Sequence, residues 1–407
     1  MRTVHALSVI SLSLAIVACG DDKPGIDPDG DLPGITITVD TVVAPNLIAF
    51  RDGLTGAWQT PVTKTPGTFE LAVHGPYFVT IVCDDLLGGF VTVFQYARTP
   101  DDDHAIATSC EGTLASNAHL TGHVVQAGEV AYGFSSTGSD IPNWDFDLVE
   151  PAGSYDVIST TTDKIAVRRN VAVSGTTALT PAIDIDAQGA AFVPTPLTSD
   201  ATAAESVRAS VLFFTSSSLV FGYRGDPAGA ILMPDSVLVP ADHHNVTIRA
   251  TTTAGTTTAT RSLRRNFRAG ASTAFALPPA LGPVQFAVAN GALITTWSTL
   301  PPNRDAIDVV VDSFSEDGTK SWFHDLEVSN NFAATTSTAT LDLDIPGFQP
   351  AWRIDLAQQP HDRSVSVFHT DGADLASSNV DESVNAPPFA KPQRRHARTI
   401  AKRLLER

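Results

Sequence analysis

The chain has 407 residues, 43% of them hydrophobic and 17% charged, with a net charge of −18. That is enough chain for several domains, each with its own core. Thr and Val are plentiful and lysine is confined to Lys23, Lys64, Lys164, Lys320, Lys391 and Lys402, which excludes a coiled coil, a helical bundle and a wholly disordered chain.

In chain order, residues 1–19 read MRTVHALSVISLSLAIVAC. Arg2 is followed by an apolar run from Ala6 to Ala18, too short to span a bilayer comfortably and suited to an export signal. It ends in Ile16-Val17-Ala18-Cys19, which resembles the lipobox of bacterial lipoproteins. The resemblance implies that residues 1–19 are a lipoprotein signal peptide, with Cys19 carrying the lipid. Gly20 rather than Asp follows it, which in that family implies the outer membrane over inner-membrane retention. The expected location is the outer membrane or cell envelope, lipid-anchored. Residues 20–34, GDDKPGIDPDGDLPG, have little to bury and form an acidic flexible tether. Asp27, Asp29 and Asp31 alternate around Gly30, but the distal Glu of a calcium loop is missing.

From residue 35 apolar residues recur at period two. Ile35, Ile37 and Val39 alternate with Thr36 and Thr38. Tyr77, Val79, Ile81 and Cys83 alternate with Phe78, Thr80 and Val82, and Ile165, Val167, Val171 and Val173 follow suit. Ile183–Ile185 and Leu341–Leu343 behave alike. Short strands between Gly, Pro, Asn and Asp predict an all-β chain of tandem antiparallel β-sandwiches, Ig- or fibronectin III-like. The expected modules are 35–112, 113–197, 198–280 and 281–387, with a basic tail at 388–407. Once Cys19 is assigned to lipid, Cys83 and Cys110 remain, and an exported chain predicts a disulfide between them.

A frame recurs in the first two modules. Phe69-Glu70-Leu71 leads to Gly75-Pro76-Tyr77-Phe78-Val79, and Phe146-Asp147-Leu148 leads to Gly153-Ser154-Tyr155-Asp156-Val157. The frame predicts a hairpin whose Tyr plugs the sandwich end. It resembles the corner of transthyretin-like and carboxypeptidase-regulatory-like domains. In 198–280, Val207, Ser210–Phe213, Leu219–Phe221, Ser236–Val239 and Val246–Ala250 are strand-like, and Thr-rich 251–260 is an exposed hairpin or a loose loop. In 281–387, Pro283–Phe286, Leu293–Trp297 before Pro301-Pro302, Ile307–Val311, Leu341–Leu343, Trp352–Ile354 and Val365–Phe368 resemble the strands of a fibronectin type III module. That resemblance implies a core position for Trp297. Lipobox, tether and sandwiches together resemble many bacterial lipoproteins.

No catalytic, cofactor-binding or metal residue is assigned. Gly133-Phe134-Ser135-Ser136-Thr137-Gly138 misses the nucleophile-elbow spacing and is taken as a loop, and Thr161 with Lys164 lacks a companion motif. His243 and His244 are adjacent, so a strand sends them to opposite faces. His361 and His369 have no zinc-ligand spacing. Asp101-Asp102-Asp103-His104 is either a solvated turn or a calcium loop between strands. No phosphate-binding or dinucleotide loop follows a strand, so no cofactor is expected.

Seven of the basic residues, Lys391 to Arg407, fall in the last segment against one acid, Glu406, leaving the body strongly acidic. Such a body repels nucleic acid. In 393–407, Ala397, Ile400, Ala401, Leu404 and Leu405 share one helical face among Arg and Lys, which suits contact with anionic lipid or protein, docking on the chain's own acidic body, or a solvated terminus. The partners expected are thus the membrane, through the N-terminal lipid, and an acidic surface, through the tail. The expected function is a non-enzymatic binding or structural module at the cell surface. The alternative is a glycan- or ester-cleaving hydrolase with accessory sandwiches.

Overall fold

The computed structural model describes residues 35–384, apart from 41–43, 86–88, 108–109, 111–116, 134, 268–271, 302–303, 316–319, 358–360 and 372–373. The signal segment with Cys19, the tether 20–34 and the tail 388–407 lie outside the described residues. Among the described residues the Thr- and Val-rich chain is mostly strand. The α-helices among the described residues are short pieces at Ile185–Gln188 and Asn330–Thr335, capped by Asp184 and Ser329. The fold is all-β with mostly antiparallel sheets.

In the first block, Ile35–Asp40 lies between Thr68–Leu71, antiparallel, and Ala105–Ala107, parallel. The opposing layer runs Trp58–Gln59, Leu47–Asp52, Tyr77–Asp85, Phe90–Arg98. The second block repeats this plan. Asn117–Val124 lies between Trp144–Pro151, antiparallel, and Thr176–Ala178, parallel. Its opposing layer runs Ser135–Ser139, Gly128–Tyr132, Gly153–Thr160, Lys164–Val173. The third block uses the plan again with a broken first strand. Prolines 194 and 196 interrupt the ladder, because proline has no N–H to donate. Val193–Pro194 therefore pairs antiparallel with Ile231–Leu232, and Thr198–Ser199 pairs parallel with Ala274–Phe275. Its other layer runs Leu219–Gly225, Ser206–Phe214, His243–Ala254, Thr257–Phe267.

The recurring Phe-x-Leu and Gly-x-Tyr-x-Val frame is not a hairpin. Thr68–Leu71 and Tyr77–Asp85 belong to different sheets, as do Trp144–Pro151 and Gly153–Thr160. The chain arches from one layer to the other instead of pairing with itself. Both tyrosines pack against their block's core. Tyr77 is fully buried, and Tyr155 packs edge-on against Tyr132 with ring centroids 5.0 Å apart.

The fourth block places three strands, Val284–Ala289, Ala292–Trp297 and Thr338–Asp342, over four: Ser321–Ser329, Ala306–Phe314, His361–Asp371 and Asp374–Val384. The four do not stop at the block's edges. Asp374–Val384 pairs antiparallel with Thr257–Phe267 of the third block. Ser321–Ser329 pairs parallel with Phe90–Arg98 of the first, from Ser321 opposite Phe90 to Val328 opposite Ala97. The result is a 12-stranded sheet through the first, third and fourth blocks.

This sheet is covered on both sides at its first-block end. Ile48, Phe50, Tyr77, Val79, Ile81 and Tyr96 pack on the first block's small sheet. Ala49, Phe78, Val82, Val91 and Val93 point the other way, into a core shared with Leu293, Trp297, Leu326 and Leu341. The expected alternation at Tyr77–Cys83 is thus a strand buried on both faces, which explains why Phe78 and Val82 are apolar too. The second block keeps its own core around Leu120, Tyr132, Phe146 and Val157. It abuts the third through Ala131, Ile158, Phe213 and Val220.

Four local expectations change. Ser236–Val239 lies in a turn region. Ile183 makes one isolated bridge to Val124, and Ile185 starts a helix because Asp184 caps it. Trp352 ends the 3-10 turn Pro350–Trp352, which Pro350 favours over a strand. Ser135–Ser139 is a strand paired to Gly128–Tyr132, not a loop. The Thr-rich run is the tip of a hairpin turning at Gly255, whose φ of +62° glycine adopts freely.

Candidate functional site

Cys83 and Cys110 are paired, with Cα atoms 5.0 Å apart. Cys83 sits on the doubly covered strand and Cys110 follows the parallel strand Ala105–Ala107, so the bond ties the two layers of the first block. Their separation of 27 residues corresponds to roughly 3–4 kcal/mol of loop-closure stabilisation. Asp101–His104 is a connector rather than an open acidic loop. Asp102 Oδ2 accepts from the backbone N of Thr99 (2.6 Å), Thr99 Oγ1 (3.0 Å) and Ser329 Oγ (2.6 Å), while Oδ1 accepts from Asn331 Nδ2 (2.9 Å). Two of these four bonds, from Ser329 and Asn331, fasten the first block to the fourth. His104 Nδ1 meets the Tyr77 hydroxyl at 3.1 Å. Burial pushes that phenol up to about 12.

A group of buried and half-buried polar side chains fills the seam between the first and fourth blocks. Arg51 lies against Phe78 and Trp58, its guanidinium carbon 4.2 and 5.1 Å from the ring centroids, and reaches Asp342 Oδ2 at 3.1 Å. Burial lowers the Arg51 pKa and raises that of Asp342, each partly offset by the other's charge. Gln95, with no exposed surface, gives its amide N–H to the carbonyl of Asp342 and takes that residue's backbone N–H on Oε1 (2.5 and 3.2 Å). The turn Pro350–Trp352 is pinned by three side chains. Trp322 Nε1 donates to the Ala351 carbonyl (2.8 Å), His324 Nε2 to the Trp352 carbonyl (3.1 Å), and Trp352 Nε1 itself donates to Asp84 Oδ2 (2.7 Å). Arg98 and Glu327 close the parallel junction with an ion pair.

A second seam joins the second and third blocks. Arg169 donates from Nη1 to Asp156 Oδ2 (2.8 Å), and from Nη2 to Asp242 Oδ2 (2.5 Å) and the Val237 carbonyl (2.8 Å). Asp242 is fully buried, and its Oδ2 also accepts from the backbone N of Val239 at 3.0 Å. Ser218 Oγ donates to the Asp156 carbonyl (2.5 Å) and accepts from the Gly133 backbone N (2.8 Å). Such paired, hydrogen-bonded charges fix the blocks in register, since removing one partner strands the other.

The histidines divide between the interior and the outer faces. His243 stacks on Phe214, and His244, on the other face, takes the Met233 backbone N–H on Nε2 at 2.9 Å. His119 pairs with Asp147 (2.9 Å) and His123 with Asp145 (2.8 Å) on the outer face of the second block's small sheet. The His119 and His123 positions are four residues apart on one strand, roughly 13 Å, too far to share one metal ion. Among the described residues no group of three or more His, Cys, Asp or Glu side chains is placed to hold a metal ion. No helix of the described residues is long and apolar enough to cross a membrane. Sequence reasoning missed both seams. Their partners come from positions as far apart as Asp84 and Trp352, and only the cross-block register brings them together. No protein-family model matches the chain, and no curated protein matches it in sequence.

Proposed function

We propose that the chain is an envelope-anchored lipoprotein acting as a non-enzymatic binding or structural module at the cell surface. The observation that carries this reading is how the buried and half-buried charges are used. Arg51, Asp342, Asp102, Arg169 and Asp242 all serve as fasteners between blocks. A rigid sheet scaffold of this kind suits presentation of surfaces and loops to a ligand. Two strand plans support the resemblances behind it. The plan used over 35–197 fits a transthyretin-like or carboxypeptidase-regulatory-like pair. The three-over-four order of 284–384 fits a fibronectin type III-like module, with Trp297 in its core. The Ile16-Val17-Ala18-Cys19 junction supports the anchor. The test is Cys19→Ser in cells fed a fatty-acid probe. Labelling is expected to disappear and the protein to leave the membrane fraction. Unchanged labelling or unchanged partitioning overturns the anchor.

A further inference from the structure

The third block carries a cluster of arginines, three of which have no carboxylate partner among the described residues. Arg208, on Ser206–Phe214, lies directly opposite Arg249, on His243–Ala254. Arg264, on Thr257–Phe267, is opposite Thr247, one step along the same face from Arg249. Arg224 joins them across Ser210. Residues paired across antiparallel strands share a face, and their Cα atoms are about 4.5–5.5 Å apart. The core side of these strands is filled by Ala209, Val211, Ile248 and Leu263, so the four arginines project from the opposite side.

The strand Thr257–Phe267 supplies an internal comparison. Arg261 and Arg265 point to the core side and are paired with Glu205 and Asp374. Arg264, between them, points away. Neither it nor Arg208 nor Arg249 has a hydrogen-bond acceptor or carboxylate partner among the described residues. Partial burial, and next the charge of Arg249, lower the Arg264 pKa. Like charges placed opposite each other destabilise a sheet, so the arrangement costs stability in a chain with no shortage of acids.

We propose that Arg208, Arg249 and Arg264 form a binding face for an anionic polysaccharide. Guanidinium groups on adjacent strands match carboxylate or sulfate groups repeated along one extended chain. Between them the same face carries the hydroxyls of Ser210 and Thr247, which suit sugar hydroxyls, while the buried Ser262 bonds to Ser377 at 2.7 Å. A protein partner would call for apolar and aromatic anchors at the centre of the patch, where these positions carry Arg, Ser and Thr. A nucleic acid duplex or an anionic bilayer is broad enough to meet the acidic remainder of the molecule as well. A single glycan chain is narrow enough to lie along the patch alone.

The inference names a ligand class for the binding reading above and rests on that reading, but its test is independent of lipid attachment. The full chain is titrated with dextran sulfate, polygalacturonate and neutral dextran, beside a DNA duplex and phosphatidylglycerol vesicles, at low and high salt. Dextran sulfate or polygalacturonate is expected to bind, more weakly as salt rises, and neutral dextran not to bind. Arg208→Ser/Arg249→Ser/Arg264→Ser is expected to bind at least about tenfold more weakly. Lys64→Ser/Lys164→Ser/Lys320→Ser, which removes equal charge elsewhere, is expected to keep wild-type affinity. The arginine variant should melt no lower than wild type, because repulsion is relieved, so lost binding is not lost folding. No binding of either anionic polysaccharide, equal loss in both variants, or tighter binding of DNA or vesicles overturns the proposal. If binding holds while Cys19→Ser leaves partitioning unchanged, the patch stands and the anchor alone fails.

Discussion

The imidazole of His324 has no exposed surface, one hydrogen bond through Nε2, and an Nδ1 with no partner among the described residues. Burial holds its pKa down to about 3, against an ordinary 6.5. The unfolded chain therefore takes up this proton below pH 6.5, while the folded chain does so only near 3. Stability falls as pH drops through that window. His324→Gln retains an N–H for the Trp352 carbonyl and does not titrate. Its melting temperature is expected to fall less than wild type between pH 7 and about pH 4. Parallel profiles would contradict a neutral, sealed imidazole. Glu205 acts at lower pH. Hydrogen bonds from Arg261 hold its carboxyl at about 2, against an ordinary 4.5, with further help from Thr202. Its contribution is full above pH 4.5 and disappears as pH falls toward 2. Glu205→Gln is expected to cost about 2 kcal/mol at neutral pH in chemical denaturation. The two proteins should converge as pH approaches that of the paired carboxyl. A constant difference across the acid range would refute the assignment.

The same residues show how far an element can be anticipated. Val, Thr and aromatic runs from Tyr77 to Cys83 announce a strand, and the strand is there. Which faces it buries depends on a layer supplied by residues 284–342, beyond the reach of local alternation. The two Phe-x-Leu and Gly-x-Tyr-x-Val frames carry a true structural repeat, yet local spacing does not distinguish a hairpin from an arch between sheets. The third copy of the plan lacks the frame, and Pro194 and Pro196 break its opening strand, so its pattern is not legible. Gln95 is a fully buried polar residue in a mostly apolar strand. Its amide serves the backbone of Asp342 as a neighbouring strand would, giving one hydrogen bond and taking one. Gln95→Leu preserves bulk but leaves those two backbone groups without the partner. A loss of about 1–3 kcal/mol is expected in chemical denaturation. A neutral substitution would mean that the apolar gain outweighs the bonds.

Across the whole molecule, the consequential contact is the parallel pairing of Phe90–Arg98 with Ser321–Ser329. Register between segments so far apart in sequence is set by packing, and four blocks in series suggest four independent cores. The first and fourth blocks instead share one. Trp297 packs in a core with Phe78, Val82, Val91 and Val93 as well as with Ile307, Leu326 and Leu341. A change at Trp297 should therefore be felt in the first block. The same arginines that net charge hides also become a patch only at this scale, once three strands align positions 208, 249 and 264. Replacing a large buried aromatic by alanine typically costs about 3–5 kcal/mol. In the full chain, Trp297→Ala is expected to speed amide exchange in Tyr77–Asp85 and Phe90–Arg98 as much as in Ala306–Phe314. Gly153–Thr160, in the separate second core, should exchange as in wild type. Faster exchange confined to 284–384 would show that the two blocks open separately and that the shared core does not couple them.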